Sequence, residues 1–452
     1  MTTQVQEKTQ VLSSEKDLER YFHNFAKPVN AKQVGIEAEF FGVFKKTGQA
    51  LPYTGPFGIQ EILKRMAAQF AYQPILESGN IIGLQRADSS VSLEPGGQVE
   101  LSAPPVHDIF DVQKQVQKFI SELKLIARAL PEIAFLAVGM QPFSALEEIS
   151  WVPKTRYAHM AEYFKGRGAL SHHMMKRTAT NQVNLDYTSE DDAMCMLRTA
   201  LGITSIVSAM FANSSFAEGR PNGYKTYRME IWKHTDPSRA GLLPKFFEKG
   251  RHFSDYLEYM LDMPFIFIVR SGKWTPLPGL TFRQFLKAGY QGAKATLGDF
   301  ELHLSTAFPE VRIKQYVEVR GVDCQSPDLI PSVAAFWKGI LYDAEIREKT
   351  WALVADVTVE ERLELHKQIP QHGLEAKLGN RAILPIAEKL LDLACASLSR
   401  QREMGSPSEC IFLEAIRDKI IRPGKTPADV QLEKWRGEWG GDSHKLIDYL
   451  SI

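Results

Sequence analysis

The chain has 452 residues, 44% of them apolar and 24% charged, a balance that supports a large buried core and excludes a disordered chain. Its 54 basic residues match 54 acidic ones, so no global field recruits nucleic acid or an anionic membrane, and any phosphate must be bound by local groups. The opening MTTQVQEKTQVLSSE lacks the apolar core of a secretory signal or membrane anchor, and the expected address is the cytoplasm.

Residues 1–14 read as a flexible N-terminal segment and 15–452 as a single domain. A short helix is predicted over 15–25. The segment GIEAEF (35–40) alternates as a strand, sending Glu37 and Glu39 to one face and Ile36 and Ala38 to the other. Residues 59–70 have apolar spacing for a helix. SLEPGGQVEL (92–101) reads as a hairpin turning at Pro95-Gly96-Gly97, with Glu94 and Glu100 flanking the reversal. Glycines there also allow close approach of the backbone to a ligand. A helix follows over about 107–130, where Ile109, Val112, Val116, Phe119, Leu123, Ile126 and Leu130 recur at three or four residues. IAFLAVGM (133–140) reads as a buried strand.

NQVNLD (181–186) alternates again, separating Gln182, Asn184 and Asp186 from Val183, Leu185 and Tyr187. The segment 190–211 opens with the cap SEDD and is apolar almost all round, which predicts a helix buried beneath the sheet. AEGRPNGYKT (217–226) reads as a long surface loop suited to substrate contacts. YVEVRG (316–321) supplies a fourth alternating strand with Glu318 and Arg320, and residues 331–452 are mainly helical in pattern. Strands broken by long helical insertions predict an α+β fold with a largely antiparallel sheet. No apolar run reaches the roughly 18 residues of a membrane helix, and MPFIFIV (263–269) ends at Arg270. No Rossmann or P-loop glycine pattern follows a strand. The four cysteines fall in no metal-ligand spacing and read as thiols of a reducing compartment.

One acidic face built from four segments attracts divalent cations and the phosphates they carry. Glu37 and Glu39, about 7 Å apart along a strand, can bracket a cation; without one, repulsion raises at least one pKa. Amides at 182 and 184 complete a polar site or else need partners inside the core. Arg320 offers a planar fork for a carboxylate or phosphate. Arg177, Arg220, Arg228, Arg239 and Arg283 lie in or near the substrate loops. His172 and His173 read as structural or surface residues, and Trp435 and Trp439 as packing anchors.

Several stretches carry a resemblance: VGIEAEFFG (34–42), SLEPGGQVELSAPP (92–105), VPKTRY (152–157), MMKRTATNQVNLDY (174–187), MFANSSFAEGRPNGY (210–224), HLSTAFPEVRIKQYVEVRG (303–321) and AFWKGILYD (335–343). In that order, across nearly the whole chain, they resemble the glutamate–cysteine ligases of the plant and proteobacterial type. The resemblance implies a curved, mainly antiparallel catalytic sheet of the glutamine synthetase and guanidino kinase class. It implies ATP-dependent joining of the glutamate side-chain carboxylate to the cysteine amine through a γ-glutamyl phosphate, the first step of glutathione biosynthesis, with Mg2+ as cofactor. It places Glu37, Glu39, Glu94, Glu100 and Glu318 as metal ligands, with Gln182 and Asn184 shaping the cluster and helping to bind substrate. Glu318, Arg320 and Arg228 fall in the catalytic group. Arg320 would stabilise the transferring phosphoryl group, and Arg228 or Arg177 would hold the glutamate α-carboxylate. Tyr227 is a candidate for substrate binding.

Expected partners are ATP, L-glutamate and L-cysteine, with no nucleic acid or membrane and a monomer or homodimer as the assembly. Two alternatives stay open: a γ-glutamyl ligase of the same fold using another amine, and a non-catalytic divalent-cation binding protein. A guanidino kinase would share the sheet, but none of its motifs occurs.

Overall fold

The four alternating segments meet in one open nine-stranded sheet whose pairings are all antiparallel. The structure is a computed structural model, and it describes residues 8–87, 89–277, 279–401 and 406–452. The strands are β1 (Val34–Phe44), β2 (Gln73–Glu77), β3 (Asn80–Arg86), β4 (Ser89–Leu93), β5 (Val99–Ser102), β6 (Ile133–Leu136), β7 (Asn181–Leu185), β8 (Val311–Ile313) and β9 (Val317–Val319). Their order is β8-β9-β7-β1-β5-β4-β3-β2, while β6 pairs with the far half of β1. The long strand β1 is therefore the spine on which the acidic and amide strands converge.

Register gives the sheet two faces. Glu37 lies opposite Gln182 on β7 and Ser102 on β5, Glu39 opposite Glu100, and Glu318 opposite Asn184. Partners in register project to the same side, so these residues share a face, as alternation predicts. Ile36, Ala38, Phe40, Val99, Leu101, Val183 and Leu185 turn the other way and are buried. Over them pack α3 (Ile109–Ala129), α6 (Glu190–Met210) and α8 (Ile330–Leu341), the last backed by α9 (Leu384–Arg400).

These helices follow from local signals. Asp108 caps α3 by accepting from the Asp111 amide at 2.8 Å, and Ser189 caps α6 by accepting from Asp192 at 3.1 Å. The earlier helices α1 (Glu15–His23) and α2 (Ile59–Phe70) also form. Helix α6 corrects one expectation, because its length and apolarity would suffice to cross a membrane. It is buried against the sheet instead, where each enclosed leucine or isoleucine contributes about 1.5–3 kcal/mol.

Other expectations change in detail. The alternation of β7 stops at Leu185: Asp186 leaves the acidic face and accepts from Lys27 Nζ and the Gln33 amide, both at 2.8 Å. The 217–226 loop carries a short ladder, Phe216–Ala217 against Arg220–Pro221. Among the described residues of 331–452 the regular elements are helical apart from a small hairpin, Lys377–Leu378 with Arg381–Ala382. Residues 1–7 of the N-terminal segment lie outside the described residues. Residues 8–12 run beside 295–301, with Lys8 Nζ 2.6 Å from Glu301 and the Leu12 amide donating to Ala295. Two of the four cysteines are not thiols. Cys395 and Cys410 form a disulfide across 15 residues, while Cys195 is exposed and Cys324 buried. Sequence spacing missed the pair because Cys395 on α9 and Cys410 in the short helical turn Glu409–Leu413 meet only where the two elements pack together.

Candidate active site

The hairpin that carries Glu94 is held from below. The Glu94 amide donates to Gln98 O and the Gly97 amide to Glu94 O, closing a tight turn in which Gly97 takes φ +86°. Gln98 Nε2 ties the turn to Thr178 O at 2.8 Å. Gly96 lies so close to the Lys176 carbonyl that a Cβ would stand 2.2 Å from its oxygen. The close approach expected of these glycines is thus partly to the protein itself. On the other side, Lys154 Nζ donates to Leu93 O at 2.8 Å and Tyr157 Oη to the same oxygen at 2.5 Å.

Along β1 the carboxylates lean on amides. Asn184 Nδ2 donates to Glu37 at 3.1 Å, Gln182 Nε2 to Glu39 at 3.4 Å, and the Thr180 amide to Glu39 at 3.0 Å. Ser92 Oγ donates to Glu100. Burial, then the charges of Glu94 and Glu100, push the Glu39 carboxyl well above the ordinary carboxylate range. Burial, with Glu37 and Glu94 adding to it, pushes Glu100 up to about 8.

The strand edge beside them has the opposite character. Glu318 Oε1 accepts from Arg312 Nη2 at 2.7 Å and Arg320 Nη1 at 2.5 Å. Its Oε2 accepts from Arg312 Nε at 3.0 Å and Lys314 Nζ at 2.7 Å. Burial would raise its pKa, but Arg312, Lys314 and Arg320 outweigh it and hold the carboxyl well below its usual value. Arg320 also donates to Gln182 Oε1, and Arg228 Nη2 to Arg320 O at 3.0 Å.

Between the two halves opens a cavity of about 50 Å³, lined on its polar side by Glu39, Glu94, Gln182, Arg156, Arg228 and Arg320. Met160, Met174, Met175, Trp232 and Phe308 close it with apolar surface. A few water molecules would fill its enclosed part, and a ligand larger than a side chain extends out through its mouth. Buried polar atoms without a partner cluster here: Glu94 Oε1, Glu100 Oε1 and Asn184 Oδ1 on the acidic side, Arg228 Nε and Trp232 Nε1 on the cationic side. Open acceptors suit a cation and open donors suit an anion.

The expected residues divide. Glu39, Glu94, Gln182, Arg228 and Arg320 line the cavity, and Glu37, Glu100, Asn184 and Glu318 stand beside it on the same face. The acids do not converge as one ready metal cage: among the described residues no three acids, histidines or cysteines are gathered to hold an ion. Glu318 has its oxygens taken by four donors, so as placed it serves as counter-ion to the cationic edge.

Arg177 and Tyr227 do not line the cavity. On α7 (Tyr227–Lys233) successive residues point about 100° apart, so Arg228 facing inward turns Tyr227 away, where it stacks on Tyr224. Arg177, the last residue of α5 (Ser171–Arg177), sends Nη1 to Glu218 at 3.3 Å and leaves Nε and Nη2 buried without a partner. Two other arginines are structural. Arg239 is tied to Asp236, Thr306, Tyr163 and Pro264, and Arg283 to Glu15, Glu258 and Asp262. His172 contacts Ala161 O and His173 the Arg177 guanidinium, as structural residues do.

Sequence reasoning did not single out Lys154, Arg156, Tyr157, Trp232 or Phe308. The first three sit in VPKTRY, at the start of α4 (Thr155–Phe164), where a lysine two residues before an arginine on a helix's first turn could have been a signal. Burial pushes Lys154 down to about 8, with Glu94 and Glu100 opposing it.

Residues 33–448 match the glutamate–cysteine ligase family 2 (GCS2). The chain is 38% identical over 429 residues to the chloroplastic glutamate–cysteine ligase of Brassica juncea, covering 94% of this chain and 81% of that protein. It is also 38% identical over 437 residues to the Arabidopsis thaliana enzyme of the same name, covering 96% and 82%. Among solved structures, a glutamate–cysteine ligase from Francisella tularensis in complex with AMP superposes with a TM-score of 0.55 at 13% identity, covering 94% of this chain and 88% of that one. A bifunctional glutathione synthetase from Pasteurella multocida gives 0.56 at 14%, covering 96% and 54%. At such identities the likeness concerns the fold alone. The open antiparallel sheet with one acidic, arginine-edged face and the match over residues 33–448 lead to one conclusion: this chain belongs to the glutamate–cysteine ligase family 2.

Proposed function

We propose that the chain joins the side-chain carboxylate of glutamate to the amine of cysteine at the expense of ATP, through a γ-glutamyl phosphate, as the first step of glutathione biosynthesis. The observation that carries this reading is the meeting of unpartnered acceptors on the sheet and its hairpin (Glu94, Glu100, Asn184) with unpartnered donors on α7 (Arg228, Trp232) at one small cavity.

A carboxylate is a poor electrophile, and phosphorylation supplies a leaving group. The γ-carboxylate oxygen of glutamate attacks the terminal phosphorus of ATP, and ADP departs. The cysteine amine then attacks the acyl carbon, loses a proton and expels phosphate. The cavity suits the first substrate: Arg156, Arg228 and Arg320 offer guanidinium donors to its carboxylates, while Trp232, Phe308 and the methionines pack its methylenes and exclude water. Arg320, fixed by Glu318 and Gln182, is the group we assign to the transferring phosphoryl oxygens. Arg228 is assigned to a glutamate carboxylate.

The acidic side fits a divalent cation, because Glu94 and Glu100 keep buried open oxygens and because burial, then the neighbouring carboxylates, raises the pKa of Glu39 and Glu100. Mg2+, when bound, would neutralise charge between ATP and its anionic acceptor. Glu39, Glu94 and Glu100, with Glu37, are the residues we assign to hold it. Glu318 joins them only if Lys314 leaves its Oε2. Arg177, at the end of α5 with two open nitrogens, and Tyr227, on the outer side of α7, remain assigned to substrate.

Purified protein supplied with MgATP and glutamate should release ADP in a cysteine-dependent manner and form γ-glutamylcysteine. Equal ADP release with a panel of other amines would overturn the choice of cysteine. Metal binding without any turnover would overturn the enzyme reading.

A further inference from the structure

We infer that Lys314 is a phosphate-binding residue for the nucleotide, parked on Glu318 until that anion arrives. The inference rests on the reading of the site as one that takes ATP.

Lys314 sits at the tip of the hairpin joining β8 to β9, its amide donating to Tyr316 O, and its side chain turns onto the functional face beside Glu318 and Glu37. Glu318 does not need it. Arg312 already meets both oxygens of Glu318, anchors its remaining nitrogen on Ala307 O and is 1% exposed, so that pair is internally complete. Adding Arg320 and Lys314 puts three cations on one carboxylate, two more positive charges than it neutralises. The nearby charge of Glu37 offsets one of them, and Glu310, close to Arg320, is shared with Arg228. Gathering like charges in a dry site costs desolvation and repulsion that a stable fold would avoid by using neutral side chains. A surplus of this kind is accounted for by an anion that visits.

The two surplus cations face different places. Arg320 lines the cavity with Arg228, whereas Lys314 does not line it and, at 13% side-chain exposure, is the more open of the two. The enclosed part of the cavity is too small for a nucleotide, so part of the triphosphate must lie outside it. Lys314 stands there, on a flexible stem next to the acids assigned to the metal. Its Nζ needs only a change of rotamer to exchange the Glu318 oxygen for a phosphate oxygen, with no bond made or broken.

The test is equilibrium binding of the non-hydrolysable analogue adenylyl imidodiphosphate, with Mg2+, to the full chain. K314M should weaken binding by about tenfold to a hundredfold, the range of one charge-assisted hydrogen bond, while the KM for glutamate stays within about threefold. K314R should recover most of the loss. Binding by folded K314M within threefold of wild type would overturn the inference, as would an equal loss of glutamate affinity. Should K314M fail to fold, a crystal structure of the wild-type complex decides: Lys314 Nζ within about 3.2 Å of a phosphate oxygen supports it, and phosphates bound elsewhere overturn it. Wild-type protein that does not bind the analogue removes the ATP reading and this inference together. Wild-type protein that binds and ligates, with K314M unaltered, removes this inference alone.

Discussion

The two halves of the functional face are built by the same device and reach opposite electrostatic ends. On β1 and the β4–β5 turn, acids at alternate positions face one another, with amides and a serine donating to them. On β8 and β9 the one carboxylate, Glu318, is surrounded by Arg312, Lys314 and Arg320. An antiparallel sheet fixes which residues share a face but not their sign. The difference shows how a fold can hold a cation and a phosphoryl anion side by side: each half is incomplete, and each lacks what the other's ligand brings.

The sharpest way to break this comparison is to remove a cation from the cavity. R320M should lower kcat by about 10²–10³-fold, the cost of losing one preorganised donor to a developing charge, in the cysteine-dependent ADP assay. R320K should recover only part of that, since one ammonium can replace Nη1 on Glu318 and Gln182 but not the remaining guanidinium donors that face the cavity. R312M would show a different defect. Losing the buried Arg312 hydrogen bonds, while Arg320 and Lys314 still neutralise Glu318, should cost about 1.5–3 kcal/mol of stability, seen as a lower denaturation midpoint.

On the acidic half, E94Q preserves shape and removes charge. It should raise the Mg2+ concentration needed for half-maximal activity by about tenfold or more, with the KM for glutamate little changed. A glutamate effect larger than the metal effect would place Glu94 on the wrong side of the division.

A milder test uses pH. The Glu100 carboxyl, ordinarily near 4.5, is raised to about 8 in the folded chain. The folded state then holds a proton that the unfolded state gives up, so the metal-free protein gains stability from this group below about 4.5 and loses it as pH rises through about 8. Thermal melts of metal-free wild type should fall across that window and those of E100Q should fall less. Bound Mg2+ should flatten the wild-type profile by replacing the proton. The smallest effect is expected at Tyr227, which lies off the cavity: Y227F should change kcat and stability by less than about threefold and 0.5 kcal/mol. A larger loss would put the Tyr227 hydroxyl itself, and not only its ring, against the substrate.

Much of this face is legible in the chain. Alternation in GIEAEF, SLEPGGQVEL, NQVNLD and YVEVRG places Glu37, Glu39, Glu100, Gln182, Asn184 and Glu318 correctly, because side-chain direction in a strand has period two whatever the partners are. The same rule fails at Asp186, since nothing in the pattern marks where the ladder stops and Lys27 captures the carboxylate. Which arginine reaches the site is a question of packing. Arg156 arrives on α4, Arg228 on the inner side of α7, and Arg177 is turned toward Glu218. Neither composition nor spacing carries that information. The Cys395–Cys410 bridge is equally silent in sequence, as its two ends meet only where residues 409–413 pack on α9.

The central claim, that this face hands a phosphoryl group to a carboxylate before the amine attacks, is tested most directly with glutamate labelled by 18O in its γ-carboxylate. Incubated with MgATP and cysteine, the protein should release inorganic phosphate carrying one 18O atom for each ADP formed, because the bridging oxygen leaves with phosphorus. Phosphate free of label alongside a full yield of dipeptide would contradict the account.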